Sequence, residues 1–237
     1  KKMEETEVCF LMDRFGYMKL IDKNAYERNK EAAHNENRCV FLCMNTDKIC
    51  IFTNTGQMHL LKVLDLPFGK FRDKGTPIDN LSNYDSKTEN FIYIINLGAI
   101  SSRKVIFGTK NAMLKVVDGS EFDVAKRTTA ATKLNDGDEL LFVRVLEETA
   151  DPEAADRTET LIMQSEKDFF LRIEVSTIPE KKKGAVGVRG MKLGIGDVLT
   201  AIYLLKDDEA VSVEVKGKEV TLNRLRTAGR DTKGTKR

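Results

Sequence analysis

Apolar and polar residues alternate along this chain in five copies of one pattern. Each copy has an apolar run, a tight turn, a second apolar run and then a loop, which is basic in most copies. The turns are centred on Gly16, Gly56, Asn111, Lys167 and Gly217, so neighbouring copies lie 40 to 56 residues apart. A period in this range is typical of one small antiparallel sheet per repeat, as in the blades of a β-propeller.

Each turn centre predicts a β-hairpin. Glycine and asparagine tolerate a positive φ at a turn, and β-branched or aromatic residues flank most centres. The clearest copy spans residues 50–60. A further apolar strand precedes most hairpins, at residues 38–43, 90–95, 139–144 and 197–203. We therefore expect three strands per repeat, with a fourth supplied by the segment after the loop.

The expected fold is all-β, a β-propeller-like pinwheel of about five four-stranded blades. A radial array of this kind leaves only short, protected sheet edges, and a β-sandwich or barrel is the alternative. We expect residues 1–7 to form an entry linker and residues 8–227 to form the pinwheel domain. Residues 228–237 are then a basic C-terminal tail or a closing segment. The first residue is Lys1 rather than methionine, which suggests a piece of a longer protein.

The composition argues against several classes of protein. With 41% hydrophobic residues among 237, the chain can bury a substantial core. No apolar run approaches the roughly 20 residues that a membrane span needs, so we expect no membrane partner and a cytoplasmic location. The four cysteines form no CxxC pair and the two histidines stand at no metal-ligand spacing. We expect buried thiols at Cys9, Cys39, Cys43 and Cys50, and no metal.

The sequence contains no recognisable active-site motif. It has no GxSxG, GxxxxGK[ST] or HExxH, and no paired carboxylates in a glycine-rich setting. We therefore expect no catalytic residue and no cofactor in this chain.

The distribution of charge is more informative than the net charge of +2. Residues 216–237 contain eight basic and two acidic residues, and residues 181–183 are three lysines in a glycine-containing loop. Similar basic loops follow the second and third hairpins. In a radial array, equivalent loops lie on one rim. Lysine and arginine on such a rim, with glycines that let backbone N–H groups approach phosphates, favour a duplex DNA partner.

The predicted contacts are to the DNA backbone, because no recognition helix, zinc finger or RNP-type strand is present. Lys19, Lys115 and Arg172, on second hairpin strands, either face the DNA or belong to a solvated strand face. The predicted DNA-binding residues are Lys70, Arg72, Lys74, Lys126, Arg127, Lys181, Lys182, Lys183, Arg189, Lys192, Arg224, Arg226, Arg230 and Lys233.

The chain resembles the C-terminal β-pinwheel domain of the DNA-cleaving polypeptide of bacterial type IIA topoisomerases, which are DNA gyrase and topoisomerase IV. The resemblance covers nearly all of the chain and rests on the hairpins at residues 14–19 and 51–59 and the loops at 70–75 and 187–191. It implies a domain that binds and bends duplex DNA and presents it to the catalytic core of the same polypeptide. The resemblance places the catalytic tyrosine upstream of this chain and ATP on the partner polypeptide, the ATPase. We therefore expect this fragment neither to cleave DNA nor to hydrolyse ATP.

One departure from the family concerns DNA wrapping. In gyrase, the loop after the first hairpin carries a glutamine-, arginine- and glycine-rich box linked to positive-handed wrapping. The corresponding loop here, residues 26–33, lacks glycine and is nearly neutral. The resemblance therefore favours topoisomerase IV, with DNA bending for decatenation and relaxation. The alternatives are a gyrase-type wrapping domain, a propeller scaffold for protein interactions and a free-standing chromatin-type DNA binder.

Overall fold

A computed structural model of the chain describes residues 2–147, 159–206 and 209–237. Within these residues the regular structure is nearly all β. The strands are β1 (Glu7–Asp13), β2 (Tyr17–Asp22), β3 (Asn37–Met44), β4 (Lys48–Thr53), β5 (Gln57–Lys62), β6 (Phe68–Gly69), β7 (Thr76–Pro77), β8 (Phe91–Asn96), β9 (Lys104–Thr109), β10 (Met113–Asp118), β11 (Thr128–Ala130), β12 (Leu140–Val145), β13 (Thr160–Ser165), β14 (Phe169–Glu174), β15 (Val188–Arg189), β16 (Leu199–Leu205), β17 (Ser212–Val215), β18 (Lys218–Thr221) and β19 (Thr235–Lys236).

Four short helices accompany the strands. They are α1 (Lys23–Arg28), α2 (Lys30–Glu36), α3 (Ile78–Leu81) and α4 (Leu97–Ile100). None of these helices has the length and apolar character needed to cross a membrane.

All five predicted hairpins are present, as β1–β2, β4–β5, β9–β10, β13–β14 and β17–β18. Gly16 and Gly56 take the left-handed backbone conformation that their turns require, with φ of 84° and 80°. In the third and fourth hairpins the left-handed residues are Ala112 and Asp168, each one position after the predicted turn centre. The hairpin pattern is therefore confirmed, with a shift of one residue at two turns.

The additional strand of each repeat pairs one hairpin earlier than we expected. β3, expected beside the β4–β5 hairpin, pairs antiparallel with β1. In the same way β8 pairs with β4, β12 with β9 and β16 with β13. These four return strands complete the sheet of the hairpin that precedes them, because the first strand of each hairpin has a free edge to which the chain comes back.

The fourth strand of each blade comes from the next repeat. β6 and β7 pair with β2, β11 with β5, β15 with β10 and β19 with β14. We name the segments that carry these strands, residues 68–77, 124–130, 179–190 and 224–236, the donated segments. The all-β pinwheel is confirmed as four blades of four or five strands, whereas the described part of the fifth blade is a two-stranded hairpin.

Buried apolar clusters lie between consecutive blades. One cluster joins Phe10 of the first blade to Ile51 of the second, and another joins Phe52 of the second to Phe107 of the third. Two further clusters join the third blade to the fourth and the fourth to the fifth. In the described ranges no cluster joins the fifth blade to the first. The return strands contact one another in succession at the inner edge, so the donated segments lie at the outer edge.

Candidate nucleic-acid interface

The donated segments place all of the predicted basic residues except Lys192 along the outer edge of four successive blades. Each segment follows the second hairpin strand of the preceding blade, where backbone hydrogen bonds hold it, as from the N–H of Leu60 to the oxygen of Arg127 at 2.8 Å. The basic loops are therefore edge segments shared between neighbouring repeats, rather than turns on a rim. Equivalent positions on successive blades make the cations a repeating array.

Most of the predicted residues have side chains that reach solvent. Eleven of the fourteen are exposed, and the other three are half-buried. Within the described residues Arg189 alone among them forms an ion pair, in which its Nε lies 2.5 Å from Oδ1 of Asp231. The exposed residues are Lys70, Arg72, Lys74, Lys126, Arg127, Lys182, Arg189, Lys192, Arg224, Arg226 and Lys233.

The three half-buried residues are Lys181, Lys183 and Arg230, and two of them hold the donated segments in place. Nζ of Lys183 donates to the backbone oxygen of Glu121 at 3.2 Å. Arg230 Nη1 donates to the backbone oxygen of Arg189 at 2.9 Å. These two cations are less available to a ligand than the exposed ones.

Cations on the second hairpin strands point into the donated segments. Arg172 on β14 is buried, and its Nη1 donates to the backbone oxygens of Asn223 and Leu225 at 2.8 and 3.1 Å. Lys19 on β2 donates to two backbone oxygens of the first donated segment. These side chains bind protein carbonyls, so both sequence interpretations, DNA contact and a solvated face, are wrong for Arg172.

Lys115 on β10 shows the same arrangement in its most buried form. Its side chain is 1% exposed. Nζ donates to the backbone oxygens of Lys182, Lys183 and Ala185 at 3.0, 3.0 and 2.8 Å. Burial lowers the pKa of Lys115 to about 8, although the nearby Glu121 opposes this shift. Lys115 is therefore neither solvated nor free to touch DNA.

In the second blade a histidine occupies this strand position. His59 on β5 is buried, with Nδ1 2.9 Å from Oγ1 of Thr128 in the donated segment and Nε2 2.9 Å from Oε2 of Glu89. Burial by itself raises the pKa of Glu89, but hydrogen bonds from the N–H of Asp85 and from His59 outweigh it, so the pKa lies below its ordinary value. The contact between His59 and Thr128 ties the third repeat to the second blade.

Two glycines in the donated segments, Gly75 and Gly187, allow close packing against the hairpin strands. A Cβ on Gly187 would lie 2.6 Å from the backbone oxygen of Leu114. Gly75 approaches Met18 on the first blade in the same way, with a Cβ distance of 2.5 Å. Only a residue without a side chain lets these segments lie so close to the hairpin strand.

An open cavity of about 580 Å³ on the first blade gathers cations that the sequence analysis did not select. Arg14 and Arg38 line it together with Arg72 and Lys74 of the first donated segment. Sequence reasoning missed Arg14 and Arg38 because each is an isolated basic residue far from the basic loops. The fold brings them within one cavity.

The four thiols are buried or half-buried, as the strand pattern predicted. Burial raises the pKa of Cys9 and Cys43 to about 12 and that of Cys39 to about 11. Because the thiolate is the reactive form, these side chains are chemically inert at neutral pH.

Comparison with known proteins finds similar sequences among type IIA topoisomerases. The sequence matches the family described as "DNA gyrase C-terminal domain, beta-propeller" over residues 103–147 and 159–215. It is 25% identical to the DNA gyrase A polypeptide of Lawsonia intracellularis over 97% of this chain and 29% of that protein. The identity to the DNA gyrase A polypeptide of Helicobacter pylori strain 26695 is 27%, over 92% of this chain and 27% of that protein. The resemblance to the C-terminal β-pinwheel domains of type IIA topoisomerase A polypeptides is therefore confirmed.

The pinwheel domain shares its fold with solved structures of this kind. The C-terminal domain of DNA topoisomerase IV superposes with a TM-score of 0.82 at 21% identity, over 99% of this chain and 73% of that one. The C-terminal domain of E. coli ParC gives 0.75 at 14% identity, over 98% and 94%. A DNA gyrase A C-terminal domain gives 0.60 at 16% identity, over 97% and 76%. The pinwheel domain spans less than a third of the length of the two gyrase A polypeptides.

The first connection of the pinwheel domain is helical. The segment 26–33, expected as a loop, lies in α1 and α2, where Tyr26 and Ala33 are buried against the first blade. Oη of Tyr26 lies 2.9 Å from Nε2 of His34, which closes the two helices on each other. The connection after the first hairpin is therefore a packed, nearly neutral helical pair.

Proposed function

We propose that the pinwheel domain binds the backbone of duplex DNA along its outer edge and bends it. The observation that carries this proposal is the repeated placement of exposed lysine and arginine side chains on the donated segments of four successive blades. Duplex DNA presents one negative charge per roughly 1.7 Å of its axis, so a line of exposed cations suits its backbone. Backbone contacts position the duplex without reading its sequence.

In the parent protein the bent duplex is presented to the catalytic core of the same polypeptide for strand passage, with ATP bound by the partner ATPase polypeptide. This chain itself takes part as a DNA-binding element without cleavage chemistry, cofactor or metal. The similarity to the C-terminal regions of gyrase A polypeptides supports this role. A cytoplasmic, nucleoid-associated location follows from the DNA partner.

The helical pair α1–α2 supports bending without chiral wrapping, which corresponds to a topoisomerase IV-type role in decatenation and relaxation. A gyrase-type wrapping domain is the second candidate, because the relatives from Lawsonia and Helicobacter are gyrase polypeptides. The two candidates share the binding surface and differ in the handedness that they impose on DNA.

Charge reversal on three blades tests DNA binding. We expect Lys126→Glu, Lys182→Glu and Arg226→Glu together to weaken duplex affinity by roughly ten- to a hundredfold at moderate salt, because each removes a phosphate contact. Fluorescence anisotropy over a salt series measures this, and the slope of log affinity against log salt should fall by about one per lost contact. Arg189 is left intact because its replacement would also leave Asp231 without a partner.

A matched variant controls for net charge. Lys62→Glu, Lys87→Glu and Arg103→Glu change exposed residues outside the donated segments by the same total charge. We expect the duplex DNA affinity of this variant to stay within a few-fold of that of the unmodified chain. Equal affinity and equal salt slope in the two variants would show that the outer edge does not bind DNA, and would favour a protein-interaction scaffold.

A further inference from the structure

The cavity on the first blade is formed by three elements that are distant in sequence. Its walls are the β1–β2 turn, the junction of α2 with β3, and residues 71–75 of the first donated segment. Its volume of about 580 Å³ exceeds that of one phosphate group and is large enough for a phosphate with its attached sugar. The site is therefore present only when the second repeat is docked on the first blade.

Aromatic rings, rather than carboxylates, hold the cations of this cavity. Cζ of Arg14 lies 4.9 Å from the ring centroid of Phe15, and Nζ of Lys74 lies 4.7 Å from that of Tyr17. A third cation, Arg38, lies 4.3 Å from the ring of Phe91. Cation–π contacts orient a cation without neutralising its charge, so its N–H groups can still bind an anion.

The carboxylates of the cavity are mostly committed to the backbone. Oδ1 of Asp13 accepts from the N–H groups of Phe15 and Tyr17 at 2.9 and 3.0 Å. Oδ2 of Asp73 accepts from the N–H of Lys70 at 2.8 Å. Both side chains build the turns that shape the walls, and neither forms an ion pair with Arg14, Arg38, Arg72 or Lys74 in the described residues.

The formal charge of the lining is positive. Five cations, Arg14, Lys19, Arg38, Arg72 and Lys74, stand against three carboxylates, Asp13, Glu36 and Asp73, which gives +2. The ammonium of Lys19 is already bound to backbone oxygens of the donated segment. The remaining four cations present unpaired donors to a common space, which is the arrangement that a phosphate group requires.

We propose that this cavity is a phosphate-binding site in which Arg14 and Arg38, with Arg72 and Lys74, hold a phosphodiester of the bound DNA strand. This inference rests on the proposed DNA-binding function. It adds two residues outside the donated segments and places an anchor for DNA at the first blade. Phe15, which is 72% exposed at the rim of the cavity, offers an apolar surface to the attached sugar or base.

The test uses Arg14→Gln with Arg38→Gln, and Arg103→Gln with Lys87→Gln as a control that removes the same charge from exposed sites elsewhere. We expect the double cavity variant to bind duplex DNA roughly five- to thirtyfold more weakly and to lose one to two units of salt slope. The control should change affinity by less than threefold. Arg14→Lys with Arg38→Lys keeps the charge but loses the planar donor fork of arginine. Its duplex DNA affinity should lie between that of the glutamine double variant and that of the control. Urea unfolding of each variant confirms that the blade is folded.

Titration with inorganic pyrophosphate distinguishes the source of the phosphate. Weak pyrophosphate binding that is lost in the cavity variant, together with weaker DNA binding, supports the proposal. Pyrophosphate binding without any change in DNA affinity would identify a free phosphorylated ligand and overturn the DNA anchor. If the cavity variant changes neither pyrophosphate binding nor DNA affinity, the cavity is not a phosphate-binding site. The triple variant at Lys126, Lys182 and Arg226 leaves the cavity intact, so failure of the wider DNA-binding proposal would be seen separately.

Discussion

A buried lysine has a consequence for stability that depends on pH. The pKa of Lys115 is lowered by burial to about 8, whereas an unfolded lysine titrates near 10.4. As the pH rises, the folded state loses this proton before the unfolded state does. The free energy of unfolding therefore increases between pH 8 and about 10.4, and this gain is lost as the pH falls back to 8. The difference of roughly two units corresponds to about 3 kcal/mol as an upper bound.

We expect Lys115→Met to abolish this rise. The free energy of unfolding from urea titrations at pH 7, 8.5 and 10 measures it, and the difference between the unmodified chain and the variant should change by a few kcal/mol over this range. Other groups titrate in the same window, so only the difference between the two proteins is informative. Lys87→Met, at an exposed position, serves as the control. Its free energy of unfolding should change with pH as that of the unmodified chain does. A constant difference between Lys115→Met and the unmodified chain would contradict a lowered pKa.

A buried cation such as Lys115 is hard to recognise from sequence, because strand β10 is covered on both faces and along its edge. Its four central residues, including Lys115, are buried. An alternating pattern identifies a strand with one wet face, but it does not show whether a polar residue has a carbonyl from a distant repeat as its partner. Arg172 was missed for the same reason, since its acceptors are about fifty residues away.

Individual elements divide into those that local pattern specifies and those that it does not. The five hairpins could be predicted because turn residues and β-branched neighbours act within ten residues. The donated segments could not, because β6, β11 and β15 are two or three residues long and gain their pairing from another repeat. The basic composition of these segments was visible in the sequence, whereas their position as edge strands depends on long-range pairing.

Two glycines of one donated segment test this docking directly. A Cβ at Gly187 meets the backbone of Leu114 at 2.6 to 2.9 Å, whereas a Cβ at Gly184 meets nothing within 4 Å. We expect Gly187→Ala to lower the free energy of unfolding by about 1–3 kcal/mol, since backbone cannot yield as a side chain can, and to weaken DNA binding by displacing Lys182. The free energy of unfolding of Gly184→Ala should stay within about 0.5 kcal/mol of that of the unmodified chain. Equal urea midpoints for the two variants would argue against tight docking of this segment.

At the scale of the whole molecule, the shared segments make the blades a connected series. Each of the first four blades is completed by its successor, and the apolar clusters lie between neighbours. A duplex that follows the outer edge therefore meets residues from every repeat in turn. On the proposed path we expect the curvature of the duplex to follow the angle between blades, which packed apolar side chains hold.

The path of DNA around this series decides between the two candidate roles. When a nicked circle is sealed with the protein bound, a duplex bent in one plane gives the same mean linking number as free DNA, whereas a duplex wrapped with positive handedness gives a higher one. The helical pair α1–α2, anchored by buried Tyr26 and Ala33, follows the first hairpin, where the resemblance places the box of gyrase, and it adds no net positive charge there. We expect ligation of a nicked plasmid in the presence of the chain to give topoisomers centred within about one linking number of the protein-free control, at protein concentrations that saturate binding.

Two-dimensional agarose gels measure the sign and size of any shift, and the Lys126, Lys182 and Arg226 variant controls for effects that do not need the outer edge. A positive shift that grows with protein and is absent in that variant would assign gyrase-type wrapping to the donated segments themselves, and the box would then be dispensable for handedness in this domain.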